Sequence, residues 1–174
     1  EIDDNFKKKQ KKKLLTFIIS LGLSIVFLIL GFVFNALVNN QYDILAKSTD
    51  IEKVNQAIEV DNSKVDAYLN MLSLYRDSED FGKEEVSAFT NLFDNTAINK
   101  SSKEYFDLAY DFGYSIFFNY TGDDSFREKI TRSGKYFKIV VENDEKHLCD
   151  NYDNAVIYYS IADFYSKYVI KHDD

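Results

Sequence analysis

The chain has 174 residues, with no proline, no tryptophan, a single cysteine and a formal net charge of −8. Nucleic acid is not expected as a partner, because residues 39–174 are strongly acidic and phosphate neutralisation needs clustered Lys and Arg. With Cys149 alone, an intrachain disulfide is excluded too.

Six lysines come first: Lys7, Lys8, Lys9, Lys11, Lys12 and Lys13. Leu14–Val38 then runs for 25 residues without a charge. At the helical rise this stretch is about 37 Å long, against a hydrocarbon core of about 30 Å. It is expected to be a transmembrane helix, with residues 1–13 as a cytoplasmic basic stub and residues 39–174 outside, as the positive-inside rule places them. A cleaved secretory signal is the competing reading, but signal cores are shorter, and Asn35-Ala36-Leu37-Val38-Asn39 offers no small-x-small site. A buried helix of a soluble protein would show a polar face, and this run has none. The stub carries a net +3 and residues 39–174 a net −11. The lysines are therefore expected to meet membrane lipid headgroups. Within the span, Ser20, Ser24, Gly31 and Asn35 fall on nearly one helical face, a candidate helix-association surface for a homodimer.

The 136 residues after Val38 suffice for one domain with a core. Their glycines are only Gly82, Gly113, Gly122 and Gly134, and strand alternation is missing, so the domain is expected to be all-α. About six helices follow from the 3.6-residue period. The first covers about Tyr42–Glu59, with Ile44, Ile51, Val54 and Ile58 inward. The second starts at Ser63, capped with Asp66, and buries Val65, Tyr68, Leu69, Leu72 and Tyr75. The third, Lys83–Asp94, turns Val86, Phe89 and Phe93 inward. The fourth opens on a capping box of Ser101 with Glu104, ahead of Tyr105, Leu108, Ala109, Phe112 and Ile116. The fifth opens on Ser125 with Glu128, ahead of Phe126, Ile130, Phe137, Val140 and Val141. The sixth, about Tyr152–Ile170, turns in Ala155, Tyr159, Ala162 and Tyr165. Short polar joints predict antiparallel hairpins.

Three helices share a finer pattern: Tyr68-Met71-Leu72-Tyr75, Tyr105-Leu108-Ala109-Phe112 and Tyr158-Ile161-Ala162-Tyr165. It resembles the first helix of a tetratricopeptide repeat, with Ser133, Phe137 and Val140 similar to the second helix. The intervals, 37 and 53 residues, are uneven, and the closing proline is absent. The resemblance implies degenerate, TPR-like hairpins in a bundle or solenoid. An irregular helical bundle with a ring-rich core gives the same stripes.

Chemistry-bearing patterns are few. The chain has no Gly-rich phosphate loop, no His-Glu-x-x-His and no cysteine pair. His147-x-Cys149 supplies only two of the three or four ligands zinc requires, and His172 stands apart. The acidic turn Asp77–Gly82 has Phe81 and Ala88 where a calcium loop needs carboxylate or amide ligands, so a solvated turn is expected. Asp123 and Asp124 fit the N-terminal end of a helix dipole. No catalytic residue, metal or cofactor is expected. Thirteen tyrosines remain to be placed. Tyr114, Tyr120, Tyr136, Tyr152 and Tyr168 lie off the main stripes and are candidate protein-binding residues, tyrosine giving contact area at low entropy cost. Their alternative place is against the next helix pair.

The order of parts resembles the C-terminal half of membrane-anchored serine/threonine protein kinases of clostridia-like Gram-positive bacteria. The matching segments are Ala67-Tyr68-Leu69 with Leu72 and Tyr75, Phe81 before Glu84-Glu85, Gly113-Tyr114 with Phe117-Phe118 and Tyr120, Gly134-Lys135-Tyr136-Phe137, and Phe164-Tyr165 with Tyr168. The resemblance implies a kinase domain ahead of Glu1, where the chain opens without an initiator Met. This segment itself carries no His-Arg-Asp and no Asp-Phe-Gly. The expected function is that of a non-catalytic sensor or scaffold, binding a protein or peptide outside the cytoplasm. A constitutive membrane scaffold for envelope assembly or secretion, without a kinase, is the rival reading.

Overall fold

The computed structural model describes residues 2–78, 81–122 and 126–168, with side chains from residue 6 onward. Among them are seven helices and no strand: α1 (Ile2–Ala46), α2 (Ile51–Val60), α3 (Asp66–Asp77), α4 (Lys83–Asp94), α5 (Lys103–Asn119), α6 (Phe126–Asn143) and α7 (Tyr152–Tyr168). The protein is all-α. It divides after Gln41 into two compact units.

In the first unit, one helix is long and apolar enough to cross a membrane, and its apolar window is wholly exposed. Hydroxyls on it bond back to their own helix: Ser24 Oγ donates to the Ser20 carbonyl at 3.0 Å, and Thr16 Oγ1 to that of Lys12 at 2.9 Å. Asn39 Nδ2 donates to Asn35 Oδ1 at 3.2 Å. No neighbour lies within 4 Å of a Cβ placed on Gly31.

The second unit starts with the last turn of α1. A single helix over Tyr42–Glu59 is not what forms, because Ser48, Thr49 and Asp50 interrupt it. Asp50 caps α2 by accepting from the Glu52 amide at 3.0 Å, and Ser48 Oγ accepts from the Asp50 amide at 3.1 Å. Such local side-chain bonds compete with helix continuation. Asn70 then fastens the break, donating to the carbonyls of Ala46 and Ser48 at 2.7 and 2.8 Å. The new phase leaves Ile44 and Ile51 exposed rather than inward.

Two other helix starts differ from the sequence reading. Ser63 donates to Asp61 Oδ1 at 2.6 Å instead of capping α3, which begins at Asp66 behind Val65 without a side-chain cap. The cap of α5 is Ser102, not Ser101: Asn99 takes the Ser101 amide at 3.0 Å and shifts the start by one residue, so that Ser102 Oγ accepts from the Tyr105 amide at 3.3 Å. At α4, the Glu85 carboxylate accepts from the Gly82 amide at 2.9 Å. The Ser125 cap, Asp123, Asp124, Glu79, Asp80, Ile170 and His172 lie outside the described residues.

Helix α2 packs on α3, α3 on α5, α5 on α6 and α6 on α7. Helix α4 joins through rings: Phe89 meets Tyr68 and Phe112, and Phe93 meets Tyr105 and Tyr136. The α6–α7 pair is antiparallel, since Phe126 meets Tyr165 while Phe137 meets Tyr158. Remote turns are sewn together. The Asn62 carbonyl accepts from Thr96 Oγ1 at 2.9 Å and from the Ala97 amide at 3.1 Å, and the Thr121 amide donates to Phe81 at 2.9 Å. Phe81, Phe89, Phe93, Phe106, Phe112 and Phe137 are fully buried, so rings dominate the core. Phe126, expected inside, is instead exposed.

Candidate functional site

Helix α2 is strongly two-sided. Val54, Ala57 and Ile58 are buried, and Glu52, Asn55, Gln56 and Glu59 share the opposite face one turn apart. That polar face forms one wall of a groove whose remaining lining is Ile51 of α2, Met71 and Tyr75 of α3, and Ala88 and Leu92 of α4. The groove thus has an apolar floor and a rim with two carboxylates and two amides. Among the described residues, no Lys or Arg lines it. Asn55 Nδ2 donates to Glu59 Oε1 at 3.3 Å, which holds the amide and the carboxylate side by side. Tyr75 is held in place by stacking on Phe81 at 5.9 Å, and burial raises its phenol above the ordinary value. The chemistry on offer is apolar contact plus acceptors for a cationic, hydrogen-bonding segment.

The five candidate tyrosines separate. Tyr136 is buried among Phe93 and Phe112, its hydroxyl is 2.9 Å from Thr90 Oγ1, and burial pushes the phenol up to about 12. Tyr120 is buried at the end of α5. These two are core residues, in the alternative place that the sequence left open, because α5 and α6 are covered on more than one side. Tyr114 is half-buried against Tyr110, Phe118 and Tyr158. Tyr152 stacks on His147 at 3.8 Å. Tyr168 is exposed beside Phe164 at 4.9 Å. The structure does not bring the five into one surface.

His147 sits in the left-handed region at φ 53°, in the α6–α7 connection. The Asp144 carboxylate organises that connection, accepting from the Leu148 amide at 2.8 Å and the Cys149 amide at 2.7 Å. Cys149 is buried, and burial pushes its thiol up to about 12, which makes it a poor ligand or nucleophile. Among the described residues, no three His, Cys, Asp or Glu gather as a metal site. The lysines at 7–9 and 11–13 are all exposed along α1.

The groove was not anticipated from sequence. The sequence analysis gave its four polar residues on α2 no role and placed Ile51 inward. Comparison of the chain with protein-family models, with curated proteins and with solved structures finds no match.

Proposed function

We propose that the helical unit is the protein- or peptide-binding part of a single-span membrane protein and that the groove between α2, α3 and α4 takes a cationic peptide segment. The observation that carries this reading is the combination of an apolar floor with Glu52 and Glu59 on the rim and, among the described residues, no cation in the lining. Charge complementarity selects the partner, and Ile51, Ala88 and Leu92, which keep exposed surface, supply apolar contact. The membrane setting is supported by the apolar stretch of α1 and the lysines that precede it. The unit lies outside the cytoplasm in this reading, as the positive-inside rule directs.

Resemblance to membrane-anchored serine/threonine kinases extends the reading to signalling. A segment bound outside would bias the association of the spans and so a kinase domain inside, provided that it binds one association state better than the other. The test is binding of fluorescent lysine-rich, neutral and glutamate-rich peptides of equal length to the full chain in micelles. Lysine-rich peptides are expected to bind and to weaken as salt rises. Equal binding of all three would remove the groove's selectivity.

A further inference from the structure

Helix α7 has two apolar faces, and α6 uses only one. On the inner face Ala155 and Ala162 are buried, Ala162 against Gly134, and Tyr158 and Tyr159 pack beside them on the core. On the far side, Ile157, Ile161, Phe164 and Tyr168 are 55%, 42%, 60% and 58% exposed. Helix α6 offers a contrast, since Arg127, Thr131, Lys135, Lys138 and Glu142 are exposed on it. A soluble surface does not need four large apolar residues in one row, and contiguous patches of this kind mark interaction sites. Their spacing, four, three and four residues, is the a/d interval of a two-heptad coiled-coil seam. The row is about 16 Å long at the helical rise.

We infer that this row is a self-association surface, on which α7 of a second copy docks antiparallel. Three features favour a copy of the same chain. First, the spacing reads the same in both directions. A two-fold axis between Ile161 and Phe164 therefore overlays the whole row on itself, as an isologous interface requires.

Second, in that register Ile157 faces Tyr168 of the copy and Ile161 faces its Phe164. Every layer then sets a ring against an isoleucine, the large-against-small alternation that fills space well. A parallel arrangement would set ring against ring and leave the isoleucine layers thin.

Third, the row is poor in charge. A domain carrying a net −11 repels its copy over most of its surface, but here the residues beside the four layers are Tyr158, Ser160, Tyr165 and Lys167, with Asp153 only at the N-terminal edge of the row. Asp163 on the next face is held by Lys167 at 2.6 Å. In the antiparallel register, Lys167 approaches Ser160 of the copy, and among the described residues no carboxylate faces another. A cationic partner is served by the groove on α2, with Glu52 and Glu59 on its rim, so the two surfaces are separate.

The test is energy transfer between donor- and acceptor-labelled full chains in micelles. Each variant also carries Gly31→Ile, so that association through the span does not mask the effect. Phe164→Glu is expected to weaken the dimer by about tenfold or more, the scale of losing one buried ring layer. Ile161→Lys is expected to do the same. Both sites are exposed in the single chain, and unchanged helicity by circular dichroism checks that each variant folds. Mixing the two variants is then expected to restore transfer, because Ile161→Lys of one copy meets Phe164→Glu of the other only in the antiparallel register. A chain that stays monomeric at high micromolar concentration without these substitutions would overturn the inference and leave the row to a helix of another protein. Dimers that survive Phe164→Glu, or mixtures that fail to recover, would overturn it equally.

Discussion

Gly134 and Ala162 meet where α6 crosses α7, so closely that a Cβ on the glycine would stand 2.7 Å from that of Ala162. Small residues on both helices let the backbones approach, and that contact is what leaves the outer row of α7 turned to solvent. Gly134→Ala forces α7 outward. It is expected to destabilise the domain by about 1–3 kcal/mol, as overpacking does, even though alanine favours helix. Urea unfolding of the full chain checks this, and a midpoint unchanged or raised would mean that the crossing is looser than it stands.

Tyr136 gives a prediction at high pH. Burial pushes its phenol from the ordinary 10.0 to about 12. Between those values the unfolded chain has released the proton and the folded chain still holds it, so stability falls as pH rises from about 10 to about 12. Tyr110, also pushed up by burial to about 12, adds to the same slope, and the Cys149 thiol, pushed from 9.0 to about 12, begins to lower stability about one pH unit earlier. Tyr136→Phe removes the contact with Thr90, costs about 1 kcal/mol at neutral pH, and should flatten the alkaline fall in the unfolding midpoint.

Asp144 holds the α6–α7 connection with both oxygens. Asp144→Ala strands the amides of Leu148 and Cys149, the latter in a buried bond, at a cost of about 2–4 kcal/mol. Hydrogen exchange should localise the loss: the Leu148 and Cys149 amides gain the most, while α2 and α3 keep their protection.

The helical class and the cores of α4 to α7 were legible because aromatic and aliphatic residues recur at helical spacing, as Val86, Phe89 and Phe93 do. Helix ends were less legible, since neighbouring Ser and Asp residues compete for one cap. Ser102 displaced Ser101, and Asp61 claimed Ser63. Tyr120 and Tyr136 stayed open between a binding surface and a second helix pair because a one-helix wheel does not see a second neighbour, and Phe126 read as core for the same reason. The groove and the outer row of α7 needed the tertiary arrangement. Polar residues on α2 become a rim only once α3 and α4 supply a floor, and the apolar row on α7 becomes a surface only once the Gly134 contact has fixed which side is inside.

Peptide capture by the groove is tested most directly by titrating a fluorescent lysine-rich peptide onto the full chain in micelles, alongside a Glu52→Gln, Glu59→Gln double variant. Loss of two exposed carboxylates should weaken binding by about three- to tenfold and reduce its salt dependence, with no change in the unfolding midpoint. Equal affinity and equal salt dependence in the two proteins would contradict the groove as the binding site.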